Sequence, residues 1–496
     1  MMESALVALP VILPLGLALV AWMGRRSPVV SRSILIAGTA LILAAAVALF
    51  LAVRAAGGPL RLDLGGWERP VGITFKVDLL SALLVVVSAT VAFAGALFAA
   101  GEIGRLLWAK GYGTFSFLLF TGIHGAFLTN DLFNLFVWFE VMLMSSFAML
   151  VLGRRRHVFE GATQYVVINM VSSFFFLTGL GILYGKTGHL NLEEVAARLV
   201  ASGSDPVILS SATLLLIAFG IKAGVFPLYF WLPPAYPNTG YATAAVFGGL
   251  LTKVGVYALF RVFGGAFGFL SGYTSGIFLL VGVATMIAGV LGAASQFHVR
   301  RILSFHIVSQ IGYILLGLGL MTQGAIAAAL FYTVHHIFVK TNLFLAAGAI
   351  ASTGRTEDLA KLGGLLKATP LLAILFLIPA LSLGGIPPLS GFFAKFLLIR
   401  EAMREEAWIV TAIALLVGVV TLFSMTKIWS EAFWKDSPRK GGPLSLCRRS
   451  LLLLPVAFLG LLTLLIGLFP GSLISLADEA ARQLLATNPA TLSTSP

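Results

Sequence analysis

Five stretches of this sequence place ionisable side chains inside otherwise apolar segments. These stretches are FVWFEVML around Glu140, FGIKAGVF around Lys222, LLTKVGVY around Lys253, FYTVHHIFVK around His335, His336 and Lys340, and SGFFAKFL around Lys395. A charged side chain at the centre of a bilayer costs at least ~2.5–3.5 kcal/mol, so residues of this kind usually serve a function. Carboxylate, amine and imidazole groups that share water can pass protons from one to the next.

Glu140 is the only acidic residue among them. Asp131 stands nine residues earlier, and a helical rise of 1.5 Å per residue then places Glu140 about 13 Å deeper, near the middle of a bilayer. A lone carboxylate at that depth stays protonated unless a cation pairs with it, and Lys222 is the natural partner. Asp131 has two interpretations, as a member of a proton path or as the residue that caps the helix N-terminus.

The histidine pair offers groups that titrate near neutrality. His336 and Lys340 are four residues apart and share one helix face, whereas His335 points about 100° away. We therefore expect His336 in the path and treat His335 as secondary. Lys340 is secondary because its long side chain could instead reach the membrane surface. His306, in RRILSFHIVSQIG, is a further secondary candidate that could equally make a structural contact.

Two of the lysines lie beside residues that interrupt helices. Pro227 follows Lys222 by five residues, and a proline inside a helix removes a backbone hydrogen bond. The second interruption, before Lys395, is predicted from Gly384, Gly385, Pro387 and Pro388. Broken helices at membrane depth line polar cavities, and a pair of them in corresponding halves indicates a transporter built from inverted repeats.

The composition places all of these residues in a membrane. The 496 residues are 59% hydrophobic and only 11% charged, with a mean hydropathy of +0.99. A soluble domain needs more polar surface. The single cysteine excludes a disulfide framework or a thiolate metal site within the chain, and no nucleotide-binding loop is present. We therefore expect no cofactor, no metal site and no nucleic-acid partner, despite a net charge of +13.

Apolar runs of about 20 residues recur along the chain and predict an all-α polytopic membrane protein with fourteen transmembrane helices. The predicted spans are 4–23, 33–54, 79–100, 113–129, 132–152, 162–185, 207–231, 242–263, 274–296, 302–321, 325–350, 370–399, 407–430 and 450–470. The predicted divisions are an N-terminal part with an external hairpin (1–110), a first repeat of helices 4–8 (111–265), a second repeat of helices 9–13 (270–435), and a C-terminal helix 14 with its tail (445–496).

Loop charges predict the orientation of the chain. Loops after odd-numbered spans, including the arginine run 154–156, sum to +12, whereas the other loops and the termini carry a small net negative charge. Positive loops stay in the cytoplasm, so both termini are expected on the outer side of a bacterial inner membrane.

The motifs around these residues, together with LGGIPPLSGFFAK, resemble the antiporter-like membrane subunits shared by respiratory complex I and the multi-subunit Mrp cation/proton antiporters. The resemblance covers nearly the whole chain. It implies fourteen helices, two inverted five-helix repeats and broken helices 7 and 12. It also implies a central proton path, which falls at the positions of Glu140, Lys222, Lys253, His336 and Lys395.

Departures within the family favour its Mrp branch. Complex I subunits of the M type have a glutamate at the position of Lys395, and L-type and Mrp A-type subunits carry long C-terminal extensions. The N-type subunit of complex I remains possible.

The predicted function is proton translocation within a multi-subunit Na+/H+ antiporter. The expected partners are A-, B-, C-, E-, F- and G-type subunits, together with protons, sodium or another monovalent cation, and the lipid bilayer. The alternatives are a proton-pumping membrane subunit of NADH:quinone oxidoreductase or of a membrane-bound hydrogenase, and a scaffold that moves no ions. Five buried ionisable positions disfavour the scaffold.

Overall fold

A computed structural model of the protein describes residues 2–67, 72–153, 156–202, 205–436 and 446–488. Within these ranges the chain is a bundle of helices with one two-stranded sheet. Arg154 and Arg155 of the predicted topology signal, and the end of the predicted C-terminal tail, lie outside the described residues.

Long helices make up most of the bundle. They are Met2–Gly24, Pro28–Ala56, Leu79–Glu102, Tyr112–Leu128, Leu132–Val151, Arg156–Thr187, Pro206–Ala223, Tyr241–Ala266, Ser271–Ser295, Val299–Leu320, Gln323–Gly354, Pro370–Gly384, Ser390–Arg404, Trp408–Trp434, Leu446–Leu468 and Pro470–Leu485. Shorter helices are Arg105–Ala109, Leu192–Ser202, Leu232–Ala235 and Leu365–Ala368.

Among the described residues, twelve helices are long and apolar enough to cross a membrane. Two shorter apolar helices, Tyr112–Leu128 and Pro370–Gly384, lie where spans 4 and 12 are predicted. A mostly helical polytopic membrane fold is therefore confirmed, whereas the total of fourteen spans and the inverted repeats stay predictions.

Polar side chains fix where several of these helices begin. Asp78, Asp131, Asp205 and Thr322 each precede a helix, and each accepts a hydrogen bond from a backbone N–H of its first turn. Such caps satisfy donors that have no partner within the helix. Of its two interpretations, Asp131 therefore takes the capping one in the structure.

The predicted external hairpin is an antiparallel pair of strands, Leu60–Asp63 and Thr74–Val77. Arg61 and Lys76 both pair with Glu193 of the Leu192–Ser202 helix, at 2.7 and 2.8 Å. Burial raises the pKa of the Glu193 carboxyl, but the hydrogen bonds from Lys76 and Arg61 outweigh it and lower that pKa below its ordinary value of 4.5. This contribution to stability is present above pH 4.5 and is lost as the pH falls through the lowered pKa.

The loops gather at two opposite ends of the bundle. At the end that carries the hairpin, which we call the hairpin end, Asn130 N–H donates to Thr74 O at 2.9 Å and Leu132 N–H to Leu190 O at 2.9 Å. At the opposite end, Glu102 accepts the backbone N–H groups of Tyr241 and Ala242. The Leu79–Glu102 helix, which follows the hairpin directly, therefore runs from the hairpin end to the opposite end.

The most buried helices lie at the centre of the bundle. The most apolar stretch of Tyr241–Ala266 is 100% buried and that of Val299–Leu320 is 94% buried, against 33% for Met2–Gly24. These central helices, together with Gln323–Gly354, carry Lys253, His306, His335, His336 and Lys340. Lys222 and Lys395 lie on the neighbouring helices Pro206–Ala223 and Ser390–Arg404. Peripheral helices leave apolar side chains on the outer surface of the chain, as expected for contact with lipid or with other subunits.

Glycines allow the helices Ser271–Ser295 and Val299–Leu320 to pack closely against each other. A Cβ at Gly289 would overlap the backbone nitrogen of Ser309, and one at Gly312 would overlap the carbonyl oxygen of Gly282. Close approach through glycine is typical of helix pairs in membranes, where packing replaces the hydrophobic effect.

We predict that Gly289→Ala lowers the thermal unfolding midpoint of the purified protein, because overpacking costs about 1–3 kcal/mol. The matched control is Gly276→Ala in the same helix, where a Cβ meets no described atom within 4 Å. A midpoint for Gly289→Ala equal to that of the control would contradict this packing.

Candidate functional site: a buried row of lysine and histidine side chains

Glu140 and Lys222 lie near each other but are not paired. Glu140 is half-buried and accepts a hydrogen bond from the hydroxyl of Ser173. Lys222 is 4% exposed, and its Nζ lies 4.9 Å from the centre of the Phe139 ring. Among the described residues, neither side chain has an ion pair within 4.0 Å, so the expected contact is open in this conformation.

The first break follows directly after Lys222. The helix ends at Ala223, and Gly224 adopts the left-handed conformation with φ of 77°. Val225 N–H bonds to Gly220 O and Gly224 N–H bonds to Ile221 O, both at 3.1 Å, which is the Schellman arrangement.

Pro227 does not end this helix. The helix is already terminated three residues earlier by Gly224, because glycine adopts positive φ without strain. The structure thus contains the break but corrects its assignment to Pro227. The indole Nε1 of Trp231 donates to Ile221 O at 3.0 Å and satisfies a carbonyl that the break leaves open.

The second break repeats the first. The helix ends at Gly384, Gly385 has φ of 91°, and Ile386 N–H bonds to Leu381 O at 3.1 Å. Pro387 and Pro388 lie in the turn between Gly385 and the helix that begins at Ser390.

Lys395 closes this second break. Its Nζ donates to Leu383 O at 2.9 Å and to Gly384 O at 3.0 Å, and the residue is 7% exposed. The amine therefore satisfies carbonyls at the end of the preceding helix. It also lies 5.4 Å from the centre of the Tyr313 ring.

Lys253 is completely buried in the most central helix. Its Nζ donates to Gly248 O at 2.7 Å and to Thr252 Oγ1 at 3.2 Å. Gly248 belongs to a π-helical stretch, Phe247–Leu251. Such distortions occur often at functional sites because they change which carbonyls are free.

His336 and His306 are fully buried, and neither ring nitrogen of either residue has a hydrogen-bond partner in the part of the chain that the structure describes. Buried polar atoms are nearly always hydrogen-bonded, so four unpartnered nitrogens at the centre of the bundle are unusual. Within the same described ranges, Gln310 Nε2 on the Val299–Leu320 helix is unpartnered as well. The electrostatic neighbours of His336 include Lys253 and Lys340.

His335 faces the second break. Its Nδ1 lies 2.8 Å from Ser390 Oγ, and Ser390 Oγ lies 3.1 Å from Ser382 Oγ. The charge of Lys395 acts on His335. The adjacent histidines therefore point to different parts of the site, His336 toward Lys253 and His335 toward the break beside Lys395.

Lys340 is also fully buried, and its Nζ donates to Leu303 O at 3.2 Å. This position excludes the interpretation of Lys340 as a side chain that reaches the membrane surface. Asp131, by contrast, lies at the hairpin end and bonds to Asn134 N at 2.7 Å, away from the buried row.

The sequence analysis missed a second set of buried polar residues. Arg261 and Asp78 form a buried ion pair, with side chains 9% and 4% exposed. Tyr332 donates to Gln310 Oε1 at 2.5 Å and stacks on Tyr313. Arg261 falls inside the predicted span 242–263, so the arginine itself was the available signal, whereas the tyrosines gave none.

The arrangement suits proton transfer. Amines and imidazoles can each bind and release a proton. In the buried row these groups lie beside backbone carbonyls and hydroxyls, and some of the imidazole nitrogens have no partner among the described residues. A lysine in a low-dielectric interior favours its neutral form, and a nearby carboxylate favours its charged form. The charge state of one site therefore changes the proton affinity of the next.

Comparison with known proteins agrees with the resemblance noted in the sequence. Residues 129–422 match the model of the family described as NADH:quinone oxidoreductase/Mrp antiporter, TM. The D-type subunit of the Na(+)/H(+) antiporter of Alkalihalophilus pseudofirmus is 42% identical over 483 residues, which cover 97% of each chain.

Two solved structures share the fold over almost the whole chain. A chain of the Mrp complex from Dietzia sp. DQ12-45-1b has a TM-score of 0.90 at 34% identity and covers 99% of both chains. A chain of the membrane-bound sulfane sulfur reductase, an archaeal respiratory membrane complex, has a TM-score of 0.90 at 26% identity, over 98% of this chain and 99% of that one.

We predict that Lys395→Met lowers the thermal unfolding midpoint, because it leaves the buried carbonyl of Leu383 without this donor, at about 1–3 kcal/mol, and also the partly buried carbonyl of Gly384. Lys395→Arg retains donors and should recover part of the loss. Lys361→Met, at a surface lysine whose side chain is 59% exposed, is the control. Equal midpoints for Lys395→Met and Lys361→Met would show that Lys395 does not hold the break together.

Proposed function

The chain belongs to the family of membrane subunits shared by NADH:quinone oxidoreductase and the Mrp antiporters, and we propose that it is the proton-translocating D-type subunit of a multi-subunit Na+/H+ antiporter. The motifs DLFNLFVWFEVMLMSS and RRILSFHIVSQIGYI already resemble that type of subunit most within the family. The observation that carries the proposal is the buried row of amines and imidazoles, held beside two matching helix breaks.

Protons move along this row from Glu140 through Lys222, Lys253 and His336 to Lys395. The open Glu140–Lys222 contact supports a switch, because closing it favours the charged form of Lys222 and opening it favours the neutral form. Lys253 is an electrostatic neighbour of His336, whose ring nitrogens are free to bind water that would carry the proton between the two residues.

His335 supplies the last link in this scheme. It is the chain neighbour of His336 and contacts Ser390 at 2.8 Å, at the start of the helix that carries Lys395. A hydroxyl both accepts and donates a proton, so Ser390 can connect the imidazole to water near the amine.

Sodium is handled elsewhere in the complex. The midplane offers one carboxylate, Glu140, and several lysines whose positive charge repels sodium. Protons escape this repulsion, since an amine that releases its proton becomes neutral.

The proposal includes the finer architecture that the resemblance implies. Two inverted five-helix units, 111–265 and 270–435, would each contain one break, and the matching Schellman ends at Gly224 and Gly385 support this symmetry. Fourteen spans, predicted from the apolar runs, would cross a bacterial inner membrane. The loop charges support placing the hairpin end and both termini outside. A-, B-, C-, E-, F- and G-type subunits are the proposed partners.

A redox-driven proton pump is the second candidate. The same fold occurs in an archaeal respiratory membrane complex. This similarity supports a second proposal, in which electron transfer in a neighbouring subunit drives proton movement along the buried row. Within that alternative the chain would serve NADH:quinone oxidoreductase or a membrane-bound hydrogenase.

We predict that Glu140→Gln or Lys222→Ala abolishes cation/proton exchange while assembly is retained, because each removes a titratable group from the row. The measurement is the sodium-driven pH change in inverted vesicles that contain the chain with its partner subunits. Glu405→Gln, at an exposed glutamate, is the control. Wild-type exchange in either variant would refute the mechanism.

We predict that addition of sodium to such vesicles moves protons without any electron donor, whereas a redox pump would respond to NADH or reduced ferredoxin. Vesicles that contain this chain alone show whether partners are required. Proton movement that depends on the electron donor and ignores sodium would favour the alternative.

A further inference from the structure

A compact polar cluster lies at the hairpin end of the central helix, outside the row described above. Arg261 donates to both carboxylate oxygens of Asp78, and its Nη2 also donates to Ser81 Oγ at 2.7 Å. Asp78 in turn caps the Leu79–Glu102 helix. Both charged side chains are removed from solvent, which is costly for an ion pair unless the surroundings satisfy it fully.

Tyr257 extends this cluster toward the buried row. Its hydroxyl accepts from Arg261 Nε at 2.9 Å, donates to Phe127 O at 2.7 Å and lies 3.1 Å from Ser81 Oγ. Tyr257 stands four residues after Lys253, so the two side chains share one face of the same helix. A chain of hydroxyls and a carboxylate therefore begins one helical turn from Lys253.

A small cavity adjoins the other side of the cluster. It has a volume of about 20 Å³, enough for one water molecule, and its lining includes the polar side chains of Lys76, Asn130, Glu193, Arg261 and Thr487. Thr487 and Glu193 are both partly exposed at the hairpin end. The cavity thus adjoins Arg261 of the ion pair and two side chains that are partly exposed.

We propose that Tyr257, Ser81 and the Asp78–Arg261 pair form a proton route between Lys253 and the hairpin end of the molecule. This inference rests on the proposed function, since it takes Lys253 as a proton carrier.

The steps conserve protons and need no other reactant. The Lys253 ammonium releases a proton to a hydroxyl or water on its Tyr257 side, and that oxygen passes its own proton onward. Asp78 accepts the proton and becomes a neutral acid, and then releases it to water on the side of Arg261 that faces the cavity. Arg261 keeps its charge throughout, because guanidinium does not deprotonate in proteins.

Arg261 controls the route by its fixed charge. While Asp78 is ionised, its negative charge balances that of the guanidinium, and a proton can approach the pair. Once Asp78 is protonated, the unpaired positive charge of Arg261 repels the proton and drives its release into the cavity, which Glu193 also lines.

The position of Lys253 fits a two-way switch. Its Nζ bonds to Gly248 O, on the side away from Tyr257. The flexible four-carbon stem of lysine allows the amine to swing toward the Tyr257 hydroxyl instead. The helix is π-helical on both sides of this segment, at Phe247–Leu251 and Phe260–Ala266.

The first test is Tyr257→Phe in the chain assembled with its partner subunits. We expect at least a tenfold loss of sodium-driven proton movement in inverted vesicles, with normal assembly, because only one hydroxyl is removed. Tyr112→Phe removes another buried hydroxyl at the opposite end of the bundle and should leave exchange unchanged. Wild-type exchange in Tyr257→Phe would overturn the route.

The second test asks whether the cavity opens to the hairpin end. In a Cys447→Ser background, Thr487→Cys is treated with a membrane-impermeant methanethiosulfonate from that side. Labelling should inhibit exchange, whereas labelling of Ala486→Cys, an exposed neighbour outside the cavity lining, should not. Complete labelling of Thr487→Cys without inhibition, or no labelling, would contradict the proposal.

The Glu140→Gln variant separates failure of the route from failure of the proposed function. Loss of exchange in Glu140→Gln with normal exchange in Tyr257→Phe would reject the route alone. Normal exchange in Glu140→Gln would reject the proposed function, whatever Tyr257→Phe does.

Discussion

The cost of holding an amine or an imidazole in a low-dielectric interior governs this structure. Three of the buried lysines are stabilised by backbone carbonyls, each in a different setting. Lys253 donates to a carbonyl within a π-helical stretch, Lys340 to Leu303 O, and Lys395 to two carbonyls at a helix end. Backbone groups thus stabilise the lysines without fixing their charge, since a carbonyl accepts from an ammonium and from a neutral amine alike. That freedom is what a proton carrier requires.

The two helix breaks have the same backbone geometry, but the lysine beside each break makes different contacts. Both end in a left-handed glycine with the same pair of hydrogen bonds. Lys395 follows its break and bonds to the carbonyls that the break exposes, whereas Lys222 precedes its break and lies over the Phe139 ring. Lys222 is therefore the less restrained of the two amines, and it is the one next to the carboxylate of Glu140. A mobile amine beside a titratable acid is suited to act as a switch.

Further buried polar groups lie near the row, and their burial adds cost to the fold. The ring nitrogens of His306 and His336 have no hydrogen-bond partner among the described residues, which is rare for buried polar atoms. The Asp78–Arg261 pair brings charge to the hairpin end of the helix that carries Lys253. Apolar residues of similar volume often replace a buried ion pair without loss of stability, so stability alone does not account for this pair, and the proposed proton route gives it a function.

The sequence by itself determined the membrane class, the helical segments and the buried ionisable residues, because a bilayer requires long apolar runs and makes each interrupting charge conspicuous. It also indicated both breaks, although Gly224 and not Pro227 ends the first helix. Only the tertiary structure decided which groups meet. His335 contacts Ser390, 55 residues away in the chain, and Arg261 pairs with Asp78 across 183 residues. Such contacts depend on how helices pack side by side, and the periodicity of a single helix carries no record of its neighbours.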